Sequence, residues 1–170
     1  MWEAIDWDNF WNDDDYALEN YVSAPLTDEM IRETEAVLGY KLPAAYLSLM
    51  KRHNGGMPRK TFVPRADGGF PAMIEGIYGI GREKPYSLLG ELCTAFWVEE
   101  WEYPPIGVVI CDTPSAGHDM VFLDYTACGP QGEPRVVLVE QEADYRVTEL
   151  AKDFEEFISK LSTEEELGLS

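Results

Sequence analysis

Positive charge is scarce in this chain. Thirteen Lys and Arg stand against 32 Asp and Glu, the formal charge is −19, and no basic residue precedes Arg32. A field of that sign repels nucleic acid and anionic membranes, and it speeds encounter with a basic partner, most of all at low salt. The competing reading is that the acidity serves solubility alone. Cysteine is limited to Cys93, Cys111 and Cys128. An odd count, wide spacing and apolar neighbours argue against a disulfide framework and against the short pairs that zinc sites use, so each reads as a buried thiol. No apolar run approaches the ~20 residues that span a bilayer. The opening Met-Trp-Glu-Ala-Ile-Asp has neither the basic nor the apolar region of a signal peptide. A cytoplasmic, reducing compartment is expected.

Catalytic patterns are also missing. No Gly-x-Ser-x-Gly, His-Glu-x-x-His or phosphate-loop sequence occurs. Gly79-Ile80-Gly81 begins like a dinucleotide fingerprint, but Lys84 stands where the third glycine belongs. Asp13-Asp14-Asp15 lacks the alternating ligands, glycine and distal Glu of a calcium loop. His53 and His118 are the only histidines. His53 falls on a helix stripe near its end and reads as a packed or capping residue. An enzyme using His118 and Asp119 is a remote alternative: neighbours in a strand point to opposite faces, and Asp119 is expected to satisfy turn backbone instead. No catalytic residue, cofactor or metal site is expected.

What is present suits one domain. With 170 residues, 45% of them apolar, the chain can bury roughly 70% of its unfolded surface without staples. Residues 1–25 form an acidic, aromatic arm in which Trp2, Trp7, Phe10, Trp11, Tyr16 and Tyr21 are interleaved with acids. Such rings rarely lie free in water, so the arm either wraps onto the body or docks on a partner. A helix capped by Thr27 follows, with Ile31, Thr34, Val37 and Leu38 on one face and Gly39 as its stop. Leu42-Pro43 opens a second helix that ends at Asn54-Gly55-Gly56, and the two are expected to pair as a hairpin. Met57 to Phe70 reads as a basic loop. Ile74 to Ile80 reads as a strand, and Ser87 to Trp101 as a helix whose acidic end, Glu99, Glu100 and Glu102, opposes the macrodipole. Ile106 to Cys111 is continuously apolar, which predicts a central strand. Asp119 to Asp124 and Pro134 to Glu140 complete a meander. A helix over Thr148 to Leu161 closes the domain, and residues 162–170 form a tail expected to fray. Clustered strands predict an α+β fold, a mostly antiparallel sheet with flanking helices.

Leu42-Pro43, Tyr46, Leu49 and Asn54-Gly55-Gly56, followed in order by Ile77-Tyr78-Gly79-Ile80, Tyr103-Pro104, Ile106-Gly107, Gly117-His118-Asp119 to Leu123-Asp124, Gly132-Glu133-Pro134 and Phe154-Glu155-Glu156-Phe157, resemble the SUKH superfamily. The resemblance covers roughly residues 20–161, and a SUKH-like domain is assigned to 26–161; the arm at 1–25 lies outside it. That group includes fungal cell-wall assembly regulators and bacterial toxin-immunity proteins. The resemblance implies a single α+β domain without known catalysis or cofactor.

Two functions follow as expectations. In one, the protein is an immunity protein that binds and neutralises a cognate basic toxin domain, for example a nuclease. In the other, it is a regulatory scaffold of the cell-wall regulator type with no toxin partner. Trp97, Glu99, Glu100 and Glu102 are one candidate partner-binding group, and Trp11 with Asp13, Asp14 and Asp15 is a second, since aromatic anchors inside a charged rim are the usual form of a tight interface. The sequence leaves the oligomeric state open.

Overall fold

The computed structural model describes residues 1–169; of the tail expected to fray, Ser170 lies outside the described residues. From the N-terminus the elements are a 3-10 turn at Trp7–Asn9, α1 (Asp15–Asn20), α2 (Asp28–Leu38), α3 (Ala44–Arg52), β1 (Phe62–Val63), β2 (Ala72–Met73), α4 (Thr94–Trp101), β3 (Gly107–Cys111), β4 (Asp119–Asp124), β5 (Arg135–Glu140), a second 3-10 turn at Gln141–Ala143, β6 (Arg146–Ala151) and α5 (Phe154–Lys160). Strands β3 to β6 form one antiparallel sheet in sequence order, and β1 pairs with β2 in a second, small one. The protein is therefore a single α+β domain.

β3 is buried at all five positions, yet it is not central. It is the first strand of the sheet, and its outer edge is covered by the segment that follows β2. Glu75 N–H donates to Asp112 O over 2.9 Å and Tyr78 N–H to Ile110 O over 2.8 Å. That segment, expected as the strand Ile74–Ile80, makes only isolated bridges, Gly56 to Ile77, Ile77 to Cys111 and Gly79 to Ser87. Its glycines let it run between two neighbours rather than along one.

Two helices begin later than the sequence suggests. The first starts at Thr94, not Ser87; the Ser87 hydroxyl donates to Lys84 O over 2.7 Å instead of capping. Gly90 sits in a turn so tight that a Cβ there would lie 2.1 Å from Lys84 O. The second is α5, which starts after Asp153, whose side chain accepts from Glu156 N–H. Residues 146–151 ahead of it are the fourth strand, where Val147 faces Val139 and Thr148 faces Leu138. Branched side chains suit that pleated surface better than a helix.

α2 has its expected limits, with Thr27 accepting from Met30 N–H and Gly39 in the left-handed region at φ 79°. It does not form a close hairpin with α3, which packs instead on α5. Only Thr34 of α2 is buried, and Val37 is 63% exposed. The basic loop contains β1, which pairs with β2 just beyond its end. Among the described residues the cysteines form no disulfide, and burial pushes the Cys111 thiol well up.

The arm lies on the body. Trp2 is 7% exposed and its indole N–H donates to Glu155 O over 2.9 Å. Trp7 meets Trp2 edge-on and carries the Arg52 guanidinium 4.3 Å above its ring. Asn12 N–H donates to Met57 O and Arg59 N–H to Phe10 O. Tyr21 is fully buried.

Candidate functional site

Asn54-Gly55-Gly56 is where the arm, α3 and the bridging segment meet. The Asn54 amide donates to Ala24 O at 2.8 Å and Ile80 O at 2.9 Å, and its carbonyl accepts from Ile80 N–H at 2.8 Å. Gly55, at φ 88°, passes so close to Gly79 that a Cβ would stand 2.6 Å from Gly79 N and 2.7 Å from Tyr21 O. Only glycine allows that approach of backbone to backbone. The motif thus holds Tyr21 and residues 76–80 in place, and these build the wall of the cleft beside them.

Asp112 follows β3 and is 7% exposed. Its carboxylate accepts from the Tyr21 hydroxyl at 2.9 and 2.8 Å and from Gly76 N–H at 3.1 Å. Burial pushes this carboxyl up to about 7, and the Glu75 charge adds to the rise; the hydrogen bonds from Tyr21 and Gly76 oppose it. The Tyr21 ring stacks on Tyr86 at 4.5 Å. Gly76 is obligatory here, since a Cβ would meet the Tyr21 ring at 2.2 Å.

Above Asp112 opens a cleft of about 390 Å³ lined by Tyr16, Glu75, Tyr86, Trp97, Asp112 and Met120, among others. It offers carboxylates and aromatic rings. Among the described residues no Lys, Arg, His or Cys lines it, and the one hydroxyl beside a carboxylate, Thr113 on Asp119, is spent holding the turn.

The residues singled out from the sequence fall in three places. Trp11 stacks on His53 at 4.4 Å. The His53 ring lies with Nε2 2.9 Å from the Asp13 carboxylate and Nδ1 2.7 Å from Gly55 O, tying the arm to the end of α3. Asp14 caps α1 by accepting from Ala17 N–H at 2.8 Å, and Asp15 is exposed in the first turn. Trp97 is 6% exposed, with its indole N–H on Leu92 O, and forms cleft wall rather than open surface. Glu99, Glu100 and Glu102 are exposed, with Glu102 at φ 62° closing α4. Among the described residues none of these three, nor Glu75 nor Asp112, has an ion-pair partner.

His118 and Asp119 do not form a pair. His118 Nδ1 lies 3.0 Å from Glu142, while Asp119 accepts from the Thr113 hydroxyl at 2.5 Å and holds the turn. Among the described residues there is no cluster of His, Cys, Asp and Glu that could hold a metal ion, and no helix long and apolar enough to cross a membrane.

Sequence reasoning missed Asp112, Glu75, Tyr16, Tyr21 and Tyr86. The one signal was an acid directly after a wholly apolar strand. A family model described as the SMI1 / KNR4 family (SUKH-1) matches residues 25–160. No curated protein gives a match.

Proposed function

Because the chain belongs to the SMI1 / KNR4 family (SUKH-1), we propose that it is a non-catalytic binding module of the immunity type, which covers the basic working face of a cognate toxin domain in the cytoplasm. The observation that carries this reading is a set of exposed acids without an ion-pair partner among the described residues: Glu99, Glu100 and Glu102 fall at the end of α4 although a helix C-terminus disfavours negative charge. Charge placed against the local dipole serves a surface rather than the helix. A toxin that handles nucleic acid must present a cationic face, and a field of −19 would guide that face in and occupy it. Asp13 is held on His53 and Asp14 caps α1, which leaves Asp15 as the open carboxylate of that run and favours the α4 end as the docking face.

Tagged full-length protein incubated with host extract at low and moderate salt tests this. The expected result is one dominant basic partner whose recovery falls as salt rises and whose toxicity is abolished by an equimolar amount of the protein. Recovery of only neutral or acidic housekeeping proteins would instead establish the regulatory scaffold, which the same family membership also accommodates. With the partner in hand, the triple substitution Glu99→Gln, Glu100→Gln, Glu102→Gln is expected to slow association on the order of tenfold at low salt and to leave the thermal midpoint nearly unchanged. An unaltered association rate would remove the α4 end from the interface.

A further inference from the structure

We propose that the cleft above Asp112 receives the guanidinium of an arginine side chain from the protein partner. This rests on the partner-binding reading above and deepens it by naming the chemistry of one anchor.

Charge sets the class of ligand. Glu75 and Asp112 line the cleft, and among the described residues no cation lines it and neither acid is ion-paired. An anionic ligand would be repelled, and a neutral one would leave both carboxylates without a counter-charge. Asp112 retains acceptor capacity. Its Oδ2 accepts only from the Tyr21 hydroxyl, which it shares with Oδ1, whereas Oδ1 also takes Gly76 N–H; a carboxylate oxygen has two lone pairs to offer. Burial makes negative charge on Asp112 costly, and a cation seated above it offsets that cost.

The walls choose among cations. Tyr86 is fixed by its stack on Tyr21 and lies edge-on to Tyr78 at 5.9 Å, and Trp97 is fixed by its bond to Leu92 O. Tyr16, half exposed, stands at the mouth. Rings held in place in this way attract a cation over their faces without ordering cost at the moment of binding. A guanidinium is planar, weakly hydrated and able to stack while donating from several N–H groups; an ammonium is compact and must lose a tightly held water shell. A carboxylate at 7% exposure below a ring at 50% exposure also calls for a charge carried on a stem.

The test is titration of methylguanidinium into the 15N-labelled full chain at low ionic strength and about pH 8, above the titration of Asp112. Saturable shifts of the Gly76 and Gly117 amides and the Trp97 indole N–H are expected, with a dissociation constant on the order of 1 mM. Glu75→Gln and Asp112→Asn should each weaken binding about fivefold or more, while Glu164→Gln, which removes the same charge at an exposed residue outside the cleft lining, should leave it unchanged. Should Asp112→Asn fail to fold, the half-buried Glu75→Gln alone decides. Linear, unsaturated shifts would overturn the inference, as would wild-type affinity in a folded Glu75→Gln variant or butylammonium binding as tightly as methylguanidinium. The two readings part cleanly. Saturable, Glu75-dependent binding without any basic partner keeps the cleft and removes the toxin. A basic partner that binds Glu75→Gln and Asp112→Asn as well as wild type keeps the toxin and removes the cleft.

Discussion

Asn54→Ala will cost the protein about 3 kcal/mol or more of folding stability, read as the shift of the urea midpoint by circular dichroism. The amide of Asn54 serves three backbone groups, Ala24 O, Ile80 O and Ile80 N–H, and Asn54 itself is 4% exposed. Alanine leaves all three without a partner where water has little access, and each unsatisfied group costs on the order of 1 kcal/mol or more. Asn54→Asp tests the cause. It keeps the acceptor for Ile80 N–H but turns a carboxylate oxygen towards the carbonyls of Ala24 and Ile80, so it should be at least as damaging as alanine. If both variants unfold within ~0.5 kcal/mol of wild type, the knot between arm and bridging segment contributes nothing to stability.

Asp112→Asn will change how stability depends on pH. The folded carboxyl sits at about 7, while an unfolded Asp titrates near 3.9. Between those values the folded state holds a proton that the unfolded state has released, so wild type loses stability as pH rises from about 4 to about 7 and levels off above that. The full shift corresponds to roughly 4 kcal/mol, and relaxation around the charge brings the expected loss to about 2 to 4 kcal/mol. The amide of asparagine does not titrate, and its carbonyl still accepts from Tyr21 and Gly76. Urea midpoints at pH 5 and pH 8 should therefore diverge between the two proteins, with the variant gaining on wild type at pH 8. Asp124 and Asp67, whose carboxyls are held below the usual range by hydrogen bonds and by Arg135 and Arg65 respectively, lose their stabilising effect only below about pH 4 and do not disturb that window. Parallel profiles for the two proteins would mean that the carboxylate is fully ionised in its niche at neutral pH.

Local signals read well in this sequence. Thr27 and Gly39 bound α2 because a side-chain oxygen and a left-handed glycine solve the two ends of a helix without help from the rest of the fold. The run Ile106–Cys111 showed that a strand would be buried on both faces. What covers its outer edge, a glycine-rich segment some thirty residues earlier, has no local mark. Apolar residues after position 146 fit a helical face as readily as a pleated one. Asp153 was the cap that separated β6 from α5, and it was overlooked beside the stronger apolar pattern. For the site, exposed acids such as Glu99 and Glu100 could be picked out by charge alone. The cleft could not, since Tyr16, Glu75, Tyr86 and Asp112 come together only through long-range contacts. The family resemblance fixed the order of the elements but named no residue of that cleft.

The sheet order has a bearing on how the chain is made. Each of β3, β4, β5 and β6 pairs with its neighbour in sequence, so short loops close the meander at little entropic cost. The arm depends on partners at the far end: Tyr21 on Asp112, and Trp2 on Glu155. A ribosome therefore releases the aromatic arm first and its docking surface last. During that interval the rings of Trp2 and Tyr21 lack the groups they dock on in the finished fold. The acids between them, Glu3, Asp6, Asp8, Asp13–Asp15 and Glu19, with no Lys or Arg before Arg32, give nascent arms a like charge that opposes their association. The residues that look like surplus charge in the finished molecule are the arm's own protection before it has one.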